Sequence, residues 1–223
     1  MNITIDHIPK TTAHNRRPGK KMTPTSITVH STGNATSNAK GERKWLVNPS
    51  NDRTASWHYA VDEKDIIEAI PPNEIAYHSG TTVGNNTSIS IEMCESGNRE
   101  LVLKRTQELV RYLMDKHNIR VVKRHYDWSG KNCPIILNSD GKWKAWYPFL
   151  AEIFTPIKTE KKVSGMKPNW ADWQWQEAEE TYRKAIEKGI FSSDEWAKKA
   201  KAKNLTFDEI EFLNLALVGR LIK

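Results

Sequence analysis

Residues 88–94 read Ser-Ile-Ser-Ile-Glu-Met-Cys, an alternation of period two that a β-strand satisfies and a helix does not. In that strand Ile89, Ile91 and Met93 share one face. Ser90, Glu92 and Cys94 share the other, so a carboxylate sits on an otherwise small or apolar surface. The flanking sequence offers further strands and helices. Ser26–His30 is β-rich and runs into the turn chemistry of Ser31-Thr32-Gly33-Asn34, and residues 55–62, 66–70 and 119–123 also read as strands. Residues 38–47 suit a short helix, and Arg99–His117 is the strongest amphipathic segment, with Leu101, Leu109, Tyr112 and Leu113 on its stripe. Residues 143–154 read as a further helix, 80–86 as a Gly/Asn/Thr-rich loop, and 1–25, with the basic run Arg16-Arg17-Pro18-Gly19-Lys20-Lys21, as a polar N-terminal arm. Strands interleaved with helices predict an α/β domain over residues 1–154, a mixed central sheet flanked by helices with its site at strand ends.

Composition changes after residue 154. Residues 155–168 read as a linker, and 169–223 as a small all-α bundle of three helices. Asn169 is the expected cap of the first, which closes at Gly189; Ser192 with Glu195 and Thr206 with Glu209 make capping boxes for the others. The expected bundle core is Trp173, Tyr182, Ile186, Trp196, Ile210, Leu213, Leu217 and Leu221; the tail's tryptophans read mostly as core, with Trp170 or Trp175, outside that stripe, the alternative for exposure to a ligand.

No apolar run reaches the roughly 18 residues that a membrane helix needs, and the first residues lack the basic-then-apolar order of a signal peptide. No membrane partner is therefore expected, and a cytoplasmic site of synthesis is. The net charge of +7 is concentrated in the larger part, with residues 159–223 holding only +1 of it. No basic helix face or block accompanies it, so a nucleic-acid partner is not expected, while diffuse positive charge suits a polyanionic cell wall. Two cysteines make no disulfide framework. Cys94 lies in an apolar run, whereas Cys133 lies in the polar loop Lys123-Arg124-His125-Tyr126-Asp127-Trp128-Ser129-Gly130-Lys131-Asn132-Cys133-Pro134, where a thiol has less packing reason to be.

That loop follows a strand and carries His125 and Cys133, and His30 ends another strand. Taken singly, His30 fits a hydrogen-bonded strand-end histidine as well as a ligand. Taken together, two imidazoles and a thiolate make a three-donor zinc site with one position open for catalysis. Amide hydrolysis there also needs a proton carrier, for which Glu92 is the candidate, and a cation to meet the oxyanion, for which Lys131 is.

The ordered segments Ile27-Thr28-Val29-His30-Ser31-Thr32, Ser56-Trp57-His58-Tyr59-Ala60-Val61, Ala76-Tyr77-His78-Ser79-Gly80, Asn86-Thr87-Ser88-Ile89-Ser90-Ile91-Glu92, Arg124-His125 and Lys131-Asn132-Cys133-Pro134 resemble the type-2 N-acetylmuramoyl-L-alanine amidases. Within that group the chain is most similar to phage and prophage endolysins of Gram-positive hosts, and more distantly to phage T7 lysozyme. The resemblance implies a zinc amidase fold and cleavage between the lactyl group of N-acetylmuramic acid and L-alanine in peptidoglycan. It implies His30, His125 and Cys133 as Zn²⁺ ligands, Glu92 and Lys131 as catalytic residues, and His78 as a residue of the substrate groove, with His58 supporting the strand beneath the metal. Tyr77 and Trp128 flank the motifs and suit either stacking on substrate or packing of the loop. The expected setting is a monomer that accumulates in the host cytoplasm, reaches the wall through a separate holin-like protein, and is held there by its helical tail on a cell-wall ligand. Two other readings are a non-catalytic peptidoglycan recognition protein, against which the full ligand set counts, and an autolysin of prophage origin.

Overall fold

The computed structural model describes residues 1–155, 167–210 and 212–214, and the chain divides into two compact units, Met1–Ile153 and Phe154–Lys223.

The first unit is a mixed sheet of β1 (Thr4–Ile5), β2 (Ser26–Ser31), β3 (Tyr59–Val61), β4 (Ile66–Glu68), β5 (Ser88–Met93) and β6 (Val122–Arg124), in the spatial order β1-β4-β3-β5-β2-β6. Only β3 and β4 pair antiparallel. β2 lies between β5 and β6 and is parallel to both, with His30 directly opposite Glu92. One face of the sheet, through Ile27, Val29, Ile89, Ile91 and Met93, packs on α3 (Arg99–His117) and α5 (Trp146–Phe154). A second core, with Ala60, Ile67 and Cys94, takes Ala39 and Leu46 from α1 (Ala39–Val47). The remaining positions of β2 and β5 are polar yet buried, Glu92 alone being partly exposed, with Thr28 bonded to Ser88 at 2.5 Å. This polar layer becomes the floor of the site.

Several elements differ from the expectation for definite reasons. Residues 55–58 do not join the sheet: the Ser56 amide donates to the Tyr77 carbonyl and the His58 amide to the Ser90 hydroxyl. Residues 119–121 connect α3 to β6 instead of opening the strand: the Ile119 amide closes on the Met114 carbonyl after the left-handed Asn118, and the Val121 carbonyl accepts from the Ile27 amide. The burial stripe of α3 runs through Val102, Thr106, Leu109, Val110 and Leu113, leaving Leu101 and Tyr112 outside. Part of the expected loop is a helix, α2 (Thr82–Thr87), in spite of two asparagines and a glycine. Thr81 caps it, Asn85 Oδ1 accepts from the amides of His78 and Ser79, and Gly84 lies against Ser79 and Trp128 where a Cβ would come within 2.5 and 2.9 Å of them. A short helix, α4 (Tyr126–Ser129), follows β6.

The basic N-terminal run is not a free arm. Arg16 is fully buried, its guanidinium donating to the carbonyls of Leu46 at 3.0 Å, Asn48 at 3.1 Å, Arg53 at 2.8 Å, and Asn51. Arg17 pairs with the buried Glu74 at 2.8 Å. Four converging carbonyls satisfy a buried cation without a carboxylate, and so tie residues 46–53 to the body of the unit.

The second unit holds α6 (Asp172–Glu187), α7 (Glu195–Lys201) and further helical turns at residues 207–210 and 212–214. Gln174 bonds back to the Ala171 amide, so α6 begins after Ala171 and Asn169 does not cap it. Thr206 and Glu209 exchange the two bonds of a capping box, whereas Ser193, not Ser192, reaches the Glu195 amide. Trp175, Tyr182, Leu205 and Leu213 are part of the core; Trp173, expected on the core stripe, is 58% exposed, and Trp175, outside that stripe, is 5% exposed. Leu217, Leu221 and most of the expected linker lie outside the described residues.

Candidate metal centre

Three parallel strands deliver the site at their carboxyl ends: β2 carries His30, β5 carries Glu92, and His125 directly follows β6. Cys133 comes from the loop beyond α4. The Tyr126 amide donates to the Cys133 carbonyl, which folds that loop back on itself and sets the thiol beside the imidazoles. His30, His125 and Cys133 are all buried, and their donor atoms lie within 4.8 Å of one another. His30 Nδ1 is 3.0 Å from His125 Nδ1 and 3.8 Å from Cys133 Sγ. In a tetrahedral site with Zn–N of about 2.05 Å and Zn–S of about 2.3 Å, neighbouring donors stand about 3.3–3.6 Å apart. The donor set suits a cation of zinc type, and the His30–His125 and His30–Cys133 separations lie within a few tenths of an ångström of that spacing.

Electrostatics favour the same state. Burial, then the neighbouring imidazoles and Lys131, hold His30 well below the ordinary histidine range; burial and then Lys131 bring His125 to about 4. Both rings are neutral at pH 7, the form that binds metal. Burial pushes the Cys133 thiol up to about 12, so a cation arriving at neutral pH must displace its proton. Glu92 Oε1 is 4.0 Å from His30 Nδ1, and its buried Oε2 has no hydrogen-bond partner among the described residues. Burial, reinforced by the charge of Glu42, raises the Glu92 carboxyl to about 8.

These groups open into a cavity of about 880 Å³. Lys131 and Tyr77 line it, Lys131 exposed and Tyr77 half-buried with its hydroxyl accepting from Asn15 at 3.4 Å. His78 also borders it but is only 8% exposed, with both ring nitrogens engaged. Trp128 does not line it: its indole N–H donates to Thr28 at 2.8 Å and Lys123 lies over its ring at 4.3 Å. His58 is fully buried, joining Ser90 on β5 to the Glu74 carbonyl.

The sequence reading missed two cavity features. Residues 52–55, held by Arg16, form part of the wall, and Glu42 on α1 faces the cavity without an ion-pair partner among the described residues. Burial raises Glu42 to about 7. The native state thus keeps its proton where the unfolded chain loses it, and stability falls as pH rises from about 4.5 to about 7. Urea unfolding of Glu42→Gln is expected to match the parent at pH 4 and to exceed it in stability at pH 8.

A buried His-His-Cys cluster with a carboxylate alongside, at the ends of parallel strands in a mixed sheet, defines an α/β protein organised around a metal-type centre. Residues 20–135 match the family described as N-acetylmuramoyl-L-alanine amidase, and the chain belongs to that family. Two Bacillus subtilis relatives carry the same description. XlyA is 41% identical over 142 residues, covering 60% of this chain and 46% of its own length; CwlH is 40% identical over 178 residues, covering 75% and 67%. This chain thus spans about half the length of the first and two thirds of the second. The solved catalytic domain of XlyA superposes with a TM-score of 0.62 at 40% identity, covering 69% of this chain and 99% of that domain. Among the described residues no helix is long and apolar enough to cross a membrane.

Proposed function

We propose that this chain is a zinc-dependent amidase that hydrolyses the bond between the lactyl group of N-acetylmuramic acid and L-alanine in bacterial peptidoglycan. The observation that carries the reading is the placement of Glu92 in register with His30, beside His125 and Cys133, in a chain of the amidase family. His30, His125 and Cys133 would hold the zinc, which when bound supplies an acidified nucleophile and polarises the scissile carbonyl. Glu92 as carboxylate takes one proton from the attacking water. It then gives that proton to the leaving nitrogen as the carbon–nitrogen bond breaks, so the products are a lactyl carboxylate and a free L-alanine amine. Lys131, exposed on the cavity wall, places a positive charge where the carbonyl oxygen gains negative charge. Tyr77 offers an aromatic wall for substrate.

The role we assign to residues 169–223 is that of a targeting module on a cell-wall ligand, raising the effective concentration of the enzyme at an insoluble substrate. The whole would serve as a lysis enzyme made in the cytoplasm of a Gram-positive host, released by a separate holin-like protein and acting as a monomer. Mass analysis of digested walls tests the activity. New L-alanine amino termini are expected without new reducing sugar ends, and removal of residues 156–223 should slow digestion of intact walls far more than of soluble fragments. New reducing ends without free L-alanine amines would make the enzyme a glycosidase and overturn the proposal.

A further inference from the structure

We infer that His78 is a positioning residue, which fixes the His30 ring in the tautomer that presents Nδ1 to the metal. The inference rests on the zinc reading above. His78 Nε2 lies 3.2 Å from the Ser88 carbonyl, and its Nδ1 lies 3.1 Å from His30 Nε2. A carbonyl only accepts, so His78 must carry its proton on Nε2. A neutral imidazole has one N–H, which leaves His78 Nδ1 as an acceptor and makes His30 Nε2 the donor. His30 has then spent its proton on the outer side, and its Nδ1 lone pair faces His125 Nδ1 at 3.0 Å and Cys133 Sγ at 3.8 Å.

Both rings are buried, with the bonds named above as their partners. The ring planes are perpendicular, 89° apart with 5.1 Å between centroids, a twist and separation that an N–H···N bond between ring edges allows. The opposite arrangement fails chemically. A proton on His78 Nδ1 would force His30 to accept at Nε2 and carry its own proton on Nδ1, inside the metal position.

His78 itself is held firmly. Its amide and that of Ser79 both donate to Asn85 Oδ1 at 2.9 Å, and His125 is hydrogen-bonded to the Ser79 backbone. One turn, residues 78–79, therefore orients both imidazole ligands, and the helix α2 beside it exists to supply Asn85. A groove residue would instead keep a ring nitrogen for substrate, and His78 has none left.

The test compares zinc affinity, by competition with a chromophoric chelator at fixed pH, for the full chain and its His78→Phe and His78→Asn variants. Phe fills the space but accepts nothing; Asn places an acceptor oxygen near the position of Nδ1. Zinc binding by H78F is expected to weaken about 10- to 100-fold. H78N is expected to stay within about threefold of the parent, with metal-free melting temperatures of both variants close to it. In the unmutated zinc-loaded protein, ¹⁵N NMR of labelled histidines should place the His78 proton on Nε2. Parent-like affinity in H78F, equal losses in H78N and H78F, or a proton on His78 Nδ1 would overturn the inference alone. A parent that binds no zinc would overturn the zinc reading and this inference with it.

Discussion

Glu92→Gln is expected to fold, to bind zinc as the parent does, and to lose between about a hundredfold and ten-thousandfold in kcat with KM little changed, because the amide keeps the shape of the carboxylate but cannot carry the proton. Steady-state kinetics on a soluble muropeptide, with zinc quantified in the same sample, checks this; wall clearance at the parental rate would sink the mechanism. The same substitution should change stability with a definite sign. Glu92 is largely buried, has one oxygen without a protein partner among the described residues, and has its pKa raised by burial to about 8. In the metal-free chain the native state retains a proton that the unfolded chain releases from about pH 4.5 upward, so the parent loses stability as pH rises toward 8. Metal-free E92Q escapes that loss. It is expected to melt above the metal-free parent at pH 8 and alongside it at pH 4. An inactive variant more stable than its parent is what a carboxylate kept for chemistry rather than for folding would leave behind.

The second large effect concerns Cys133. A serine hydroxyl is a poor zinc ligand, and one ligand's share of a binding free energy on the order of 10 kcal/mol corresponds to about a hundredfold to thousandfold weaker zinc binding. Cys133→Ser is expected to show that loss in a chelator titration and to lose activity in step, recovering part of it at high zinc. Cys94→Ser is the informative control. Both thiols are buried, Cys133 at 4% exposure and Cys94 at 1%, but Cys94 packs with Ile67 and Ala69 while Cys133 faces His30. C94S should therefore cost some stability and leave zinc affinity unchanged. Equal zinc loss in the two variants would remove Cys133 from the ligand set. Proton release provides a further check within the same titration, since zinc binding at pH 7 must expel the thiol proton from the parent and has none to expel from C133S.

Much of this centre was legible in the sequence because local rules place it. Period-two alternation puts Glu92 on the face opposite Ile89 and Ile91, and the turn residues after His30 mark a strand end. The shared loop of His125 and Cys133 is by itself a weak signal; grouping them with His30 as proposed ligands drew on a third donor from another strand, the chemistry of zinc and the resemblance of the ordered motifs. Burial was the misjudged property: Cys133 was expected in a polar loop and is buried there, since the loop closes over its own thiol through the Tyr126–Cys133 backbone bond.

Local pattern suffices for the α/β character of the first unit, the strand faces of His30 and Glu92, and the helices among the described residues of 169–214, because each follows from a repeat or cap contained within a few residues. Which groups those elements meet depends on the three-dimensional arrangement. His78 reads as a groove residue until its ring is seen between the Ser88 carbonyl and His30. Trp128 could have stacked on substrate until Thr28, a hundred residues away, takes its indole proton. Arg16 reads as surface charge because no local rule buries an arginine without an acid, and it is four carbonyls gathered from residues 46–53 that do so. Trp173 and Trp175 stand two positions apart on one helix, and the packing of residues from α7 and beyond chooses between them. In each case the deciding partner is distant along the chain. Hydrogen bonds and apolar burial depend on distance in space, which a periodicity in sequence does not encode.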